Sequence, residues 1–186
     1  MKKIFLFVCL IVLCFQNMSF ASETNDEMYY KRQIQNQRYL YSNRGFAGAI
    51  KKGDNNTVDN CIKAGFDVNA TQAGIPLTFY AVIGKQPEAL NLLLKGGANP
   101  NAEYMGYSLI NYVLISNKNS DLIKVLIDNK ADVNLPSKKI TPLTYAIKAK
   151  QVKIVEMLLK AGANPDDKTK QLVSKSKDEY LKSLFE

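Results

Sequence analysis

The chain has 186 residues, a length that suits one folded domain. It contains no histidine, which excludes Ser-His-Asp and Cys-His catalytic sites, H-E-x-x-H metalloprotease sites and mixed Cys/His zinc sites. Lysine and arginine outnumber aspartate and glutamate by 25 to 17, a net charge of +8, which favours contact with phosphates, anionic lipids or acidic proteins.

Residues 1–21 have the layout of a secretory signal peptide. Two lysines precede an uncharged apolar run at positions 4–15, and small residues two positions apart end at Ala21. This run is shorter than the stretch of about 20 apolar residues that a bilayer core requires, so we expect cleavage after Ala21 rather than an uncleaved membrane anchor. Residues 22–186 are then expected to be exported, to the periplasm or the medium, without stable membrane insertion.

Cleavage would leave Cys61 as the single cysteine, so no internal disulfide is expected. Cys61 lies at an apolar position of a helical pattern (VDNCIKA), which favours a small core residue; a reactive thiol is the alternative. Loss of the two leader lysines leaves 23 basic and 17 acidic residues, a net charge of +6. Of this charge, +5 lies from Ser137 onward, where it forms either a solvated face or a surface for anionic partners.

Residues 22–44 are predicted to be an N-terminal segment that contains a capping helix over residues 25–43. Its apolar side chains are expected to pack on the first unit that follows. They are Met28, Tyr30, Ile34 and Tyr41.

A short sequence motif, which we call the recurring phrase, is then repeated along the chain at a nearly constant spacing. Its copies are GFDVN ending at Asn69, GANPN at Asn101, KADVN at Asn134 and GANPD at Asp166. Before each copy, apolar residues at i, i+3 and i+4 predict a helix that buries one side. These helices cover residues 58–64, 89–95, 121–128 and 153–160. Glycine follows three of them, where a left-handed residue ends a helix at low cost, and Lys130 takes that place in the third copy.

A shorter helix is predicted before each of these helices. The segments are 44–55, 74–85, 106–117 and 139–150. In the last of them Thr141 can cap the helix and Pro142 suits its first position. One helix pair cannot cover its own apolar faces, so neighbouring pairs are expected to stack. The predicted units are about 45–69, 70–101, 102–134 and 135–166, and a degenerate pair at 167–186 closes the stack with Leu172, Val173, Tyr180, Leu181, Leu184 and Phe185.

Four stretches resemble the ankyrin repeat: TPLTYA (141–146), IPLT (75–78), LLLKGGANPN (92–101) and LLKAGANPD (158–166). The resemblance extends over roughly residues 45–166. It implies an all-α ankyrin-repeat solenoid of about four helix-turn-helix repeats with N- and C-terminal capping helices. On this alignment Thr78, Ile110 and Thr144 replace the histidine that is usual in the family, so threonine must supply its hydrogen bonds or they are absent.

Motifs for catalysis are missing. The stretch GAIKKGD (48–54) has the glycine spacing of a phosphate loop but lacks its Lys-Ser/Thr ending. Two pairs of adjacent carboxylates, Asp166-Asp167 and Asp178-Glu179, cannot face each other on a helix. We therefore expect no enzyme activity, cofactor or metal.

The resemblance implies a protein-binding scaffold that holds its partner by the loops between repeats and by the open face of the first helices. Carried onto this chain, the candidate partner-binding residues are Thr71, Gln72, Val82, Glu103, Tyr104, Met105, Tyr107, Leu114, Lys138, Lys139 and Lys148. Tyr104 and Met105 at a loop tip suit a binding hot spot; alternatively, Tyr104 or Tyr107 folds back onto a neighbouring repeat. Val82 and Leu114 are expected to form an exposed apolar strip, unless a slight shift of register buries them.

The sequence thus favours an exported, monomeric, non-catalytic module that binds a partly apolar, partly acidic protein and protects, inhibits or scaffolds it. One alternative is a secreted effector that binds a host protein. Another is attachment to the envelope through the basic C-terminal end. Nucleic acid is not an expected partner.

Overall fold

The computed structural model describes residue 26 and residues 28–32, 42–116 and 119–186. The predicted leader, and the predicted packing residues Ile34 and Tyr41, lie outside these ranges. Within them the chain consists of helix pairs joined by short loops and hairpins. None of the helices in these ranges is long and apolar enough to cross a membrane.

The helices and strands alternate in a regular order. They are α1 (Asn43–Lys52), α2 (Asn55–Lys63), β1 (Thr71–Gln72), β2 (Ile75–Pro76), α3 (Leu77–Gly84), α4 (Pro87–Lys95), β3 (Glu103–Tyr104), β4 (Tyr107–Ser108), α5 (Leu109–Ser116), α6 (Ser120–Asp128), α7 (Pro142–Lys148), α8 (Val152–Lys160), α9 (Asp167–Ser174) and α10 (Glu179–Ser183). We call α1, α3, α5 and α7 the first helices and α2, α4, α6 and α8 the second helices.

The pairs stack into two layers. Each first helix contacts the next first helix along the chain, each second helix contacts the next second helix, and the two helices of a pair contact each other. Apolar residues from both layers form one continuous core. The predicted all-α solenoid is therefore confirmed. Cys61 is 1% exposed, which confirms its prediction as a core residue.

The recurring phrase joins one repeat to the next. Within a copy, the side chain of Asp67 accepts a hydrogen bond from the N–H of Asn69, two positions further along the chain. Asn69 then reaches the following copy, where its Oδ1 accepts the N–H of Asn99 at 2.8 Å and its Nδ2 donates to the carbonyl of Gly97 at 3.1 Å. Asn134 makes the same two bonds to the copy after it. Each copy of the recurring phrase therefore forms hydrogen bonds to the next copy, which explains why the motif occurs in every repeat.

The two ends of the array differ from the sequence prediction in one residue each. Near the N-terminus, residues 28–32 are helical and Tyr30 packs half-buried against the core, as predicted, but Met28 is exposed. At the C-terminus α9 packs on α7, and Val173 and Leu181 are buried. Tyr180, predicted to pack there, is exposed instead, and its hydroxyl lies 3.4 Å from a carboxylate oxygen of Glu156.

Candidate functional site

Three hairpin turns lie at one edge of the array, each just before a first helix. Strand β1 pairs with β2, β3 pairs with β4, and an isolated bridge joins Ser137 to Ile140. Both turn residues have positive φ in every case, as the tight turns of two-residue hairpins require. The turns are Ala73-Gly74, Met105-Gly106 and Lys138-Lys139. Because lysine tolerates this conformation poorly, the third turn is held at a conformational cost.

The hairpins also correct the register of the sequence alignment. Pro76 ends strand β2 and pairs with Thr71, whereas Thr141 caps α7. Pro76 is therefore equivalent to Thr141 and not to Pro142. The position assigned to the family's histidine moves by one residue in two repeats. It is Phe79 instead of Thr78 and Asn111 instead of Ile110, while Thr144 stands as predicted.

The same shift removes two candidate binding residues. Val82 and Leu114 are 0% and 1% exposed, so the prediction of an exposed strip through them is wrong. They are equivalent to the buried Ile147 and not to Lys148. The next residue in each helix is exposed instead, Ile83 by 37% and Ile115 by 45%. The open positions of the first helices, which we call the helix strip, are Lys51, Ile83, Ile115 and Lys148.

Tyr104 folds back onto the preceding repeat. Its ring meets that of Phe79 edge to face, with 5.5 Å between the centroids, and the side chain is half-buried. This is the alternative that the sequence left open. Its neighbour Met105 is 73% exposed at the turn, and Glu103 is also exposed. Met105 therefore provides the accessible apolar group at this hairpin.

Tyr107 and Lys138 connect two neighbouring hairpins. The ammonium group of Lys138 donates to the hydroxyl of Tyr107 at 2.8 Å and lies 4.0 Å from the centroid of its ring. A cation over an aromatic face is attracted by the ring quadrupole. The contact positions Lys138, while Lys139 beside it is exposed. We call Met105, Lys138 and Lys139 the loop tips.

A row of tyrosines was missed by the sequence prediction. Tyr80, Tyr112 and Tyr145 occupy the same place in successive repeats, each half-buried between a hairpin and its first helix. Tyr80 donates to the carbonyl of Gln72 at 2.9 Å, and Tyr145 reaches that of Ser137 at 3.4 Å. Burial raises the pKa of Tyr145. The signal in the sequence is a tyrosine at one constant distance after each recurring asparagine.

The remaining candidates lie around these groups. Thr71 is exposed on β1, and Gln72 is half-buried, with its backbone carbonyl accepting the hydrogen bond from Tyr80. Lys148 is exposed at the end of α7. Their role in binding stays a prediction.

Charge differs sharply between the two layers. The first helices contain no aspartate or glutamate, whereas every second helix contains at least one. Three of the second helices carry an i,i+4 ion pair at 2.6 Å: Asp59–Lys63, Lys124–Asp128 and Glu156–Lys160. The face formed by the first helices and the loop tips is therefore basic and apolar, and it would attract a partner that is acidic and apolar.

The described residues offer no set of ligands for a metal ion. No group of three or more cysteine, aspartate or glutamate side chains comes together in residues 28–32, 42–116 or 119–186.

Comparison with known proteins relates this chain to a repeat family and to a bacterial relative. A family model described as ankyrin repeats in three copies matches residues 79–169. An ankyrin repeat protein of Rickettsia felis is 32% identical over 133 residues, which are 69% of this chain. The matched region spans 44% of that protein's length, so this chain corresponds to less than half of it. Ankyrin repeats suggest protein–protein binding.

Proposed function

This chain is an ankyrin-repeat protein, and we propose that it is an exported, non-catalytic module that binds another protein through the helix strip and the loop tips. The observation that carries the proposal is the separation of charge. Exposed isoleucines stand between lysines on the first-helix side, while the carboxylates of the helix pairs lie on the second-helix side. A partner segment with apolar and acidic residues matches this face.

The proposed face has the features of an interaction site. Ile83 lies on α3 and Ile115 lies at the equivalent position of α5, the next first helix. Met105 extends from the hairpin that precedes α5. A few well-packed residues carry most of the binding energy at protein interfaces, and charges at the rim set the rate of association and the choice of partner. The lysines at either end, Lys51 and Lys148, are in rim positions.

Affinity capture tests the face. The full chain is expressed with its own residues 1–21 and a tag after Glu186, and proteins are captured from the envelope of the source cells. The variants are Ile83→Ala/Ile115→Ala and Lys138→Ala/Lys139→Ala. The control is Lys95→Ala/Lys153→Ala, which removes the same charge from the second helices.

We expect each of the two test variants to lower recovery of the captured protein at least about tenfold, because loss of a hot-spot pair costs about 2 kcal/mol or more and a factor of ten corresponds to about 1.4 kcal/mol. The control is expected to recover as much as the wild type. Equal recovery by all four proteins would refute the proposed face.

Export is supported by the pattern of residues 1–21 and is tested separately. Mass spectrometry of the protein from its source cells should find a chain that begins at Ser22. Recovery in the periplasmic fraction fits a periplasmic partner, and recovery from the culture medium favours an effector that binds a host protein. An intact chain from Met1 in the cytoplasmic fraction would contradict export.

A further inference from the structure

A groove with a volume of about 600 Å³ lies between α7–α8 and the C-terminal pair α9–α10. Sites for drug-sized ligands have volumes of roughly 300–1,000 Å³. The floor of the groove is apolar. It consists of Ile147 and Leu181, which are buried, and Val152 and Leu172, which are half-buried.

The rim of the groove is basic. It carries the exposed side chains of Lys148, Lys150, Lys175 and Lys177, and none of these four forms an ion pair within the part of the chain that the structure describes. Asp178 also lines the groove, but its carboxylate accepts the N–H of Leu181 at 2.9 Å and caps α10. Four lysines and one aspartate therefore surround an apolar floor.

We infer that this groove binds a short acidic segment of a partner protein, which inserts a large apolar side chain between its own carboxylates. The ammonium groups match the carboxylates, and the floor matches the apolar side chain. The inference rests on the proposed function, because a protein-binding array supplies the reason for a peptide ligand. Beyond the proposed function, the inference assigns the groove as the binding place of the partner's segment and states the chemistry of that segment.

Continuity with the helix strip favours a peptide over a membrane surface. Lys148 belongs both to the strip and to the rim, so a segment lying along the first helices reaches the groove without leaving the protein. Anionic lipid headgroups would contact the lysines but leave the apolar floor unused. A peptide that carries both kinds of side chain satisfies both parts of the site.

Selection from a random library of short peptides displayed on phage tests the inference. The bait is the full chain, expressed with its own residues 1–21. Enriched peptides are then measured against Lys175→Ala/Lys177→Ala on the rim and Val152→Ser on the floor. The matched control is Lys168→Ala/Lys170→Ala, two exposed lysines of α9 with the same spacing but outside the groove.

We expect peptides rich in aspartate and glutamate around one leucine, phenylalanine or methionine. The rim variant should bind them about three- to tenfold more weakly, since exposed ion pairs contribute about 0.2–1 kcal/mol each. The difference from wild type should shrink as salt rises from about 50 to about 500 mM, because salt screens exposed charges. The floor variant should weaken binding at all salt concentrations, and the control should match wild type.

Three outcomes would overturn the inference: no enrichment, enriched peptides without acidic residues, or equal binding by the rim variant and its control. Sedimentation with vesicles that contain phosphatidylglycerol forms the second arm. Vesicle binding that needs Lys175 and Lys177, with no peptide enriched, would assign the groove to a membrane surface. The variant Ile83→Ala/Ile115→Ala separates this inference from the proposed function, because it alters envelope capture but leaves the groove intact.

Discussion

The side-chain amide of Asn111 donates a hydrogen bond to the hydroxyl of Ser137 at 2.8 Å, across the boundary between two repeats, and both side chains are buried. The same nitrogen lies 2.9 Å from the carbonyl oxygen of Leu135 and 3.0 Å from the hydroxyl of Ser108. Ser137 also accepts the N–H of Ser108 at 2.9 Å. These contacts fix one hairpin to the next and hence hold the loop tips in place.

A double-mutant cycle on Asn111 and Ser137 should show strong coupling. Asn111→Ala should lower the free energy of unfolding by about 2–3 kcal/mol, because it removes the contacts of the amide with two buried hydroxyls and takes away the donor that the Leu135 carbonyl accepts. Ser137→Ala alone should cost about 1–2 kcal/mol, because the buried N–H of Ser108 loses its acceptor. We expect the double variant to lose at least about 0.5 kcal/mol less than the sum in urea titrations. Strict additivity would show that the two side chains do not act together.

Asn134→Ala tests the joint formed by the recurring phrase. The change removes two hydrogen bonds, to the N–H of Asn164 at 2.8 Å and to the carbonyl of Gly162 at 3.1 Å. We expect a loss of about 1–2 kcal/mol, since each exposed hydrogen bond contributes about 1 kcal/mol or less. The control is Asn56→Ala, an exposed asparagine in the first turn of α2, which should stay within about 0.5 kcal/mol of wild type. Equal effects of the two changes in urea titrations would contradict the bridging role.

The fold could be predicted from the sequence because its signals repeat. The recurring phrase, its spacing and the apolar period before each copy identify the helix pairs and their stacking. The same logic predicted that Lys130 ends α6, and its φ of +64° confirms the left-handed turn. Helix and turn signals that recur at so constant a spacing indicate a stacked repeat architecture.

The side-chain register was harder to predict, because aligning identical residues of two repeats placed Pro76 opposite Pro142, one position out of register. Proline precedes leucine in both IPLT and TPLT, yet Pro76 ends a strand while Pro142 begins a helix. Counting from the recurring asparagine avoids the error. Ile83, Ile115 and Lys148 all stand at the same distance after it. The buried Val82 and Leu114 stand one position closer to it.

The groove could not be predicted from the sequence. Its two sides are distant along the chain, and only the packing of α9 on α7 brings Ile147 and Leu172 to one floor. The sequence indicated a basic C-terminal end but not that four of its lysines surround an apolar recess. Tyr180, predicted to pack into the same pair, is exposed, because the neighbouring Leu181 takes the buried position of the short helix α10.

Gly84→Ala should separate the first two helix pairs. A Cβ atom at Gly84 would lie 2.1 Å from the backbone oxygen of Lys51, so α1 and α3 would have to move apart. We expect a loss of about 1–3 kcal/mol in the free energy of unfolding, as for an overpacked core. Gly96→Ala is the control, because its nearest neighbour is a methyl group of Ile62 at 3.2 Å, which can shift by a rotation of the side chain. A Gly84→Ala variant as stable as the control would show that the two helices are not in tight contact.

Cys61 should make the stability of the protein depend on alkaline pH. Burial, and secondly the charge of Asp54, raises the pKa of its thiol from 9.0 to about 12. In the unfolded chain the thiol loses its proton above pH 9, whereas in the folded protein it stays neutral until about pH 12. The stability that the neutral thiol contributes is therefore complete below pH 9 and is lost as the pH rises from 9 towards 12.

The variant Cys61→Ala isolates this effect from the titration of lysine and tyrosine, which both proteins share. The wild type should be the more stable of the two at pH 8, because alanine leaves a small cavity in the core. Between pH 8 and pH 10 that advantage should shrink by about 1.4 kcal/mol in urea titrations, the value for one ionisation over one pH unit. A difference that stays constant over this range would show that solvent reaches the thiol in the folded protein, and the prediction would be wrong.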